Sequence, residues 1–285
     1  MAVLLRKTHN TSFVRQHRSV KWQKELFQEY VFGKQTLRQL ADKYDRTKKT
    51  IQRYLDQFQE NQERIQAVRS VVIGIDCSFF GIGYGIIVVR CPALKQNLYW
   101  KQITTENKAA YEEARRYLEA NGFNIQAVVL DAKHGIKEVF ADLVVQICQY
   151  HQQQIVGRYL TVKPKTEAGL ELKLLADSLT KIDEYLFTEL LNNWHEKWTG
   201  FLRERTYKMD GKHWWYTHRR IRAAYRSLIT NLPYLFSCQR YPGLHIPNTN
   251  NSLEGYFSKL KRLLNNHNGL KSWRRYRLIK AILNA

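Results

Sequence analysis

The sequence predicts an α/β core built on a mixed five-stranded sheet with helices, preceded by an α-helical helix-turn-helix module and interrupted by an all-α insertion. Three observations predict it. Up to about residue 69 the chain is polar and helical in period. From residue 70 it turns to short runs rich in Val and Ile, which favour pleated, buried strands. Residues 161–247 return to helical period before a loop dense in Asn and Thr. The predicted divisions are 1–69, 70–160, 161–247 and 248–285.

In the first division, "TLRQLADKYDRTKKTIQRYLDQF" puts Leu37, Leu40 and Ala41 on one helical face, breaks over residues 44–47, and resumes with Ile51, Tyr54 and Leu55. Two short helices joined by a tight turn make the helix-turn-helix pattern. Arg46, Thr47, Lys48, Lys49, Thr50, Gln52 and Arg53 fall at or near the start of the second helix, where recognition helices meet base edges and phosphates. The alternative is an ordinary helical hairpin with a solvated basic face. Residues 56–69 read as a polar helix or linker.

The run "SVVIGIDCSFFGIGYGIIVVR", residues 70–90, has roughly the length of a bilayer span. Its four glycines, its β-branched residues and the acidic Asp76 fit two strands better, at 71–77 and 84–90, with glycines near Phe79 and Phe80 supplying the turn. A third strand follows in "NLYWKQITTE", then a helix in "NKAAYEEARRYLEANG" ended by Gly122. A fourth strand, "IQAVVLDAKHGI", finishes in Asp131; "KEVFADL" is a short helix and "VVQICQYH" a fifth strand. That order is the order of the ribonuclease H-like fold, in which the first and fourth strands lie side by side. Asp76 and Asp131, 55 positions apart, are therefore predicted to meet.

Two carboxylates held close on apolar strands repel one another and are costly to desolvate unless a multivalent cation sits between them. Magnesium prefers such rigidly held oxygen ligands. For Asp76 alone, a strand-end residue capping a backbone group is the alternative. A third acid comes late: in "IPNTNNSLEGYFSKLKRLLNNHNGL", Asn251 or Ser252 caps a helix with Glu254 in its first turn. The helix dipole favours a carboxylate there in any protein, so Glu254 taken singly says little.

The 46 Lys and Arg exceed the 25 Asp and Glu by 21, so a polyanion is the expected partner, with a merely basic soluble protein as the alternative. Cys77, Cys91, Cys148 and Cys238 form no CxxC pair and suit a reducing compartment. The start "MAVLLRKTHN" lacks the apolar region of a signal peptide, and a soluble, cytoplasmic protein without a membrane partner is expected.

Asp76 in "GIDCSF", Asp131 in "VVLDAKHG", the C-x-x-H of "CQYHQQQIV" and Glu254 in "NTNNSLEGYFSKLK" together carry a resemblance. Over roughly residues 37–270 the chain resembles bacterial insertion-sequence transposases of the Mutator-related DDE class. The resemblance implies a ribonuclease H-like catalytic core with a helical insertion, and Asp76, Asp131 and Glu254 as the catalytic, metal-binding triad. It implies two magnesium ions, with manganese able to replace them, and no small-molecule organic cofactor. It also implies double-stranded DNA as partner, namely transposon terminal inverted repeats and target DNA, bound by a homo-oligomer in a cytoplasmic, nucleoid-associated setting. Two magnesium ions about 4 Å apart can activate a water or a DNA 3′-hydroxyl and stabilise the departing oxygen, so one site can serve cleavage and strand transfer. Some relatives carry a cysteine-rich zinc module at the N-terminus; this chain has no such spacing. The rival readings are a nuclease of the same fold that does not join, and a non-catalytic helix-turn-helix regulator derived from a transposase.

Cys148 and His151 are zinc-type ligands, but two are not four, and a structural role is expected, with Cys148 in the strand core and His151 near the strand's end. His134, three residues after Asp131, is expected at a phosphate or in a solvated loop. Trp214 and Trp215 beside Arg219, Arg220 and Arg222 combine a stacking surface with phosphate contacts suited to an unpaired base; core packing of one indole is the alternative. From residue 255 to 285 there are eight Lys and Arg and no acidic residue, with Lys259, Lys261 and Arg262 expected along DNA or on a solvated face.

Overall fold

The computed structural model describes residues 11–58 and 70–284, with side chains from residue 21 onward. Most of the expected linker, 59–69, and the start of the chain lie outside the described residues. Two compact units are present: Met1–Ile65 with Tyr256–Ala285, and Gln66–Gly255. The predicted segment 248–285 is thus divided between them.

In the larger unit β1 (Ser70–Gly81) and β2 (Tyr84–Cys91) form the expected hairpin, turning at Ile82 and Gly83, where Gly83 takes φ +67°. β3 (Gln96–Ile103) follows antiparallel to β2, and α4 (Lys108–Ala120), capped by the Asn107 side chain, crosses to β4 (Asn124–Leu130). A short 3-10 turn at Lys137–Phe140 leads into β5 (Val144–Ile147). The sheet order is β3-β2-β1-β4-β5, with β1, β4 and β5 mutually parallel and β2 antiparallel to both its neighbours. This is the mixed five-stranded α/β arrangement that the sequence predicts, with β1 beside β4. One core joins β1, β2, β4 and α4 through Ile73, Ile75, Ile87, Tyr111, Leu118, Val128 and Phe140.

The fifth strand is shorter than expected. It stops at Ile147, Cys148 takes the N-cap position, and α5 (Gln149–Leu160) begins at once. A second core, around Leu172, Phe187, Leu191, Trp194, Leu228 and Phe236, packs α5 with α6 (Glu167–Asp177), α7 (Glu184–Arg203) and α8 (Arg219–Leu235). The segment expected to be all helical also carries a small hairpin, β6 (Arg205–Tyr207) with β7 (Trp214–Tyr216). A short helix α9 (Ser237–Arg240) and a loop lead to α10 (Asn251–Asn265).

Buried amides join β5 and α5 to α8 and α9. Gln146 donates from Nε2 to the carbonyls of Ile147 and Leu235, and its Oε1 accepts from the Cys238 backbone N–H. Gln149 Nε2 also donates to Leu235 O, Asn231 Nδ2 donates to Gln152 Oε1, and Ser237 Oγ donates to Val145 O. Buried polar groups of this kind persist because each has a partner.

In the smaller unit, α1 (Thr11–Val31) precedes α2 (Leu37–Lys43) and α3 (Lys48–Gln57). A capping box between Thr36 and Gln39 starts α2, and the Thr47 side chain caps α3. Leu40, Ala41, Ile51 and Leu55 are buried, at positions the sequence places on the apolar faces of the two helices. α11 (Ser272–Asn284) closes on the end of α3: Arg274 makes a bidentate pair with Asp56, and Arg277 donates to the carbonyls of Asp56 and Phe58. Arg274 and Arg277 of the basic tail are therefore engaged within the protein. Among the described residues no helix is long and apolar enough to cross a membrane.

Replacing Gln146 by Leu leaves the Cys238 N–H without its acceptor. The change is expected to cost about 1–3 kcal/mol of unfolding free energy, measured by chemical denaturation; an unchanged midpoint would show the amide network to be dispensable.

Candidate functional site

The register of the two central strands builds one side of the site. The last paired positions of β1 and β4 are Gly74 and Val129. Two residues further along each strand direction stand Asp76, buried at 8% exposure, and Asp131, just beyond the end of β4. Asp76 Oδ1 accepts the Cys77 backbone N–H at 2.7 Å. The loop after Asp131 is tied back by Lys133, which pairs with Glu106 at 3.1 Å and donates to its carbonyl; Glu106 also accepts from the buried Tyr111 hydroxyl.

The other side is where α5 and α10 begin. Gln149 N–H donates to Asn248 O, the Asn248 and Gln149 side chains bond each other at 3.0 Å, and the Asn250 N–H donates to Cys148 Sγ at 3.2 Å. Asn250 Nδ2 donates to Ile75 O, one residue before Asp76. Its Oδ1 comes so near β1 that a Cβ on Gly74 would sit 2.3 Å from it, and only glycine leaves that space. Ser252 Oγ accepts from Arg90 Nε of β2 at 3.0 Å. These bonds fix the start of α10, whose fourth residue is Glu254.

His151, in the first turn of α5, lies between the acids. Its Nδ1 is 2.8 Å from Asp131 Oδ1 and its Nε2 is 3.6 Å from Glu254 Oε1. The shorter contact lacks hydrogen-bond alignment: His151 Nδ1, Asp131 Oδ1 and Glu254 Oε1 are all buried without a hydrogen-bond partner. It is an ion-pair contact of imidazole and carboxylate. Burial opposes the charge on His151, yet Asp131 and Cys148 outweigh it and raise its pKa. Asp76 is pushed up to about 7, first by burial and then by the charge of Asp131, with His151 pulling the other way. Glu254 is raised by burial and by Asp131, again opposed by His151.

Thus Asp76, Asp131 and Glu254, from three distant parts of the chain, share one electrostatic environment with His151. Buried carboxylate oxygens without donors, in a site that disfavours their negative charge, fit a hard divalent cation. Cys148 Sγ, His151 and Glu254 also offer ligand atoms within 4.8 Å of one another. Sequence reasoning missed Gly74, Arg90, Asn248, Gln149 and Asn250. The Asn-rich stretch was the signal for Asn248 and Asn250.

The remaining candidates are dispersed. Cys148 is fully buried, and His151 lies on a helix, not at a strand end, because β5 closes at Ile147. His134 is exposed in the loop after β4. Trp214 and Trp215 lie on strand β7 and are 42% and 37% exposed. Arg220 and Arg222 donate to the carbonyls of Arg158 and Leu202, whereas Arg219 lies over Trp215. On α3, Thr47 and Thr50 bond each other and Gln52 bonds Asp56; Arg46, Lys48, Lys49 and Arg53 are exposed. Lys259, Lys261 and Arg262 are exposed on α10.

Gly74→Ala is expected to displace Asn250 and lower stability by about 1–3 kcal/mol, the cost of an orphaned buried partner. In an Asn250→Ala background the same substitution should cost close to nothing, a coupling that a double-mutant cycle by denaturation measures. Equal costs in both backgrounds would show that the amide does not occupy the space above Gly74.

No family model matches the chain, and no curated protein matches it. Among solved structures it is similar to the Drosophila P element transposase strand transfer complex, at 11% sequence identity and a TM-score of 0.46, over 92% of this chain and 91% of that chain.

Proposed function

We propose that the protein is a metal-dependent DNA transposase, with Asp76, Asp131 and Glu254 as ligands of magnesium and the exposed face of α3 as a contact to transposon ends. The observation that carries the reading is that His151 stands against both Asp131 and Glu254, while the charge of Asp131 also acts on the buried Asp76. The sequence resemblance to Mutator-related DDE transposases and the net charge of +21 support it. When bound, the metal supplies Lewis-acid activation of a water or DNA 3′-hydroxyl and stabilises the leaving oxygen.

The chain's own groups do the rest. Asp76 presents a carboxylate from a rigid strand, shielded from water. His151 stands against both Asp131 and Glu254 and offsets part of their negative charge. Asn250 holds Glu254 to the sheet through Ile75. Lys48, Lys49 and Arg53 offer phosphate contacts whose strength falls with salt. A homo-oligomer on DNA is part of the proposal, since two transposon ends must be handled together.

Asp76→Asn, Asp131→Asn and Glu254→Gln should each retain DNA binding and lose cleavage. Cut transposon ends incubated with supercoiled target should yield joined product with the unaltered protein; cleavage without joining would assign the chain to the nucleases. Full cleavage by any one variant would remove that residue from the site.

The buried Asp76 gives a second readout. Its pKa is raised from 3.8 to about 7 in the folded protein. Folding therefore favours the protonated acid, and the ionised form destabilises: the penalty is absent below the unfolded pKa, grows between the two values and is constant above the folded one. In chelator, Asp76→Asn should melt higher than the unaltered protein at pH 8 and equally at the acid end. Magnesium should then stabilise the unaltered protein more than the variant. No pH dependence of the difference would mean that Asp76 carries no such strain.

Lys49→Ala with Arg53→Ala should weaken duplex binding and flatten its salt dependence by about one unit of log–log slope per lost phosphate contact, read by titration at several salt concentrations.

A further inference from the structure

We infer that one face of the β6–β7 hairpin is a stacking platform for the unpaired bases of single-stranded DNA, and that the face is defined by Trp214 and Tyr207, not by Trp215. Side chains alternate across a strand. The register pairs Arg205 with Tyr216 and Tyr207 with Trp214, so these four share one face; Thr206 pairs with Trp215 on the other. On the first face Tyr207 is 58% and Trp214 42% exposed. The Arg205 guanidinium lies 3.9 Å from the centre of the Trp214 ring system, Arg222 lies 3.5 Å from that of Tyr216, and Trp214 meets Tyr216 edge-on at 5.3 Å. On the second face Trp215 has the more distant Arg219, at 5.8 Å, and Thr206 bonds Thr217.

A planar cation over an exposed indole occupies the position a nucleobase would take. Exchanging the two leaves the guanidinium beside the incoming phosphate, so stacking and ion pairing act on the same nucleotide. The charge around the hairpin suits that partner. Between residues 205 and 222 there are six Lys and Arg against one acid, Asp210. Asp210 faces His213 at 2.7 Å, and Glu204, just outside, faces His218 at 2.8 Å. A duplex hides its base faces and could use only the charges. The inference rests on DNA as the partner and not on the carboxylates.

The test is fluorescence anisotropy of a labelled oligothymidine and of a labelled duplex of equal length, both in chelator so that no metal chemistry enters. Trp214→Ala should weaken oligothymidine binding by about 5- to 150-fold, the range for loss of one stacked base, and leave duplex binding unchanged. Trp214→Phe should restore most of the affinity, and Trp215→Ala should change it less than twofold. Thermal melting of each variant separates loss of folding from loss of binding. Equal losses for single strand and duplex, an equal effect of Trp215→Ala, or no effect of Trp214→Ala in a folded protein would each overturn the assignment. Failure of the unaltered protein to bind duplex would instead count against the DNA reading itself.

Discussion

The contact between Asn250 and β1 organises the larger unit. An amide side chain reaches the backbone of Ile75 through space that exists because residue 74 has no Cβ. The same residue's N–H closes on Cys148 at the start of α5. One asparagine thereby connects a central strand, the helix that follows the last strand, and the helix that carries Glu254. The sheet supplies two acids through register alone, but the third arrives after more than a hundred further residues. Backbone and side-chain hydrogen bonds from that late segment, through Asn248 and Asn250, hold it in the same place.

Once there, the acids oppose the fold that assembles them. Burial and mutual repulsion raise Asp76 and Glu254, and the imidazole of His151 offsets part of this, joined at Asp76 by the Cys77 N–H. The apolar strands around Asp76 and the bonded amides beneath α5 keep the geometry while the charges disfavour it. Such tension between scaffold and site is common where a scaffold is shaped for a ligand with charge opposite to its own.

Much of this was legible in the sequence, for physical reasons. Density in Val and Ile marks β1, β2 and β4, and the order of elements matches the ribonuclease H-like layout, in which the first and fourth strands are neighbours, so Asp76 and Asp131 are expected to meet. The end of β5 was not legible: the apolar run continues through Cys148, and no Gly or Pro marks the change to helix. Nor was the β6–β7 hairpin, whose three-residue strands are too short for a period to register and sit among helical segments. Reading Trp214 and Trp215 as helical neighbours would separate their side chains by about 100°, whereas a strand sends them to opposite faces. Asn250 was visible only as one of several asparagines; its role depends on the absence of a side chain 176 positions earlier, which no local pattern records.

The smaller unit is composed of both ends of the described chain, and α3 is closed by arginines of α11. This sets an order in time during synthesis. The ribosome completes Gln66–Gly255 before it makes α11, so the nascent chain already holds Asp76, Asp131 and Glu254 while the end of α3 still lacks Arg274 and Arg277. A closed α3 belongs to chains whose translation has run through α11, and an early stop codon would leave the smaller unit without that closure.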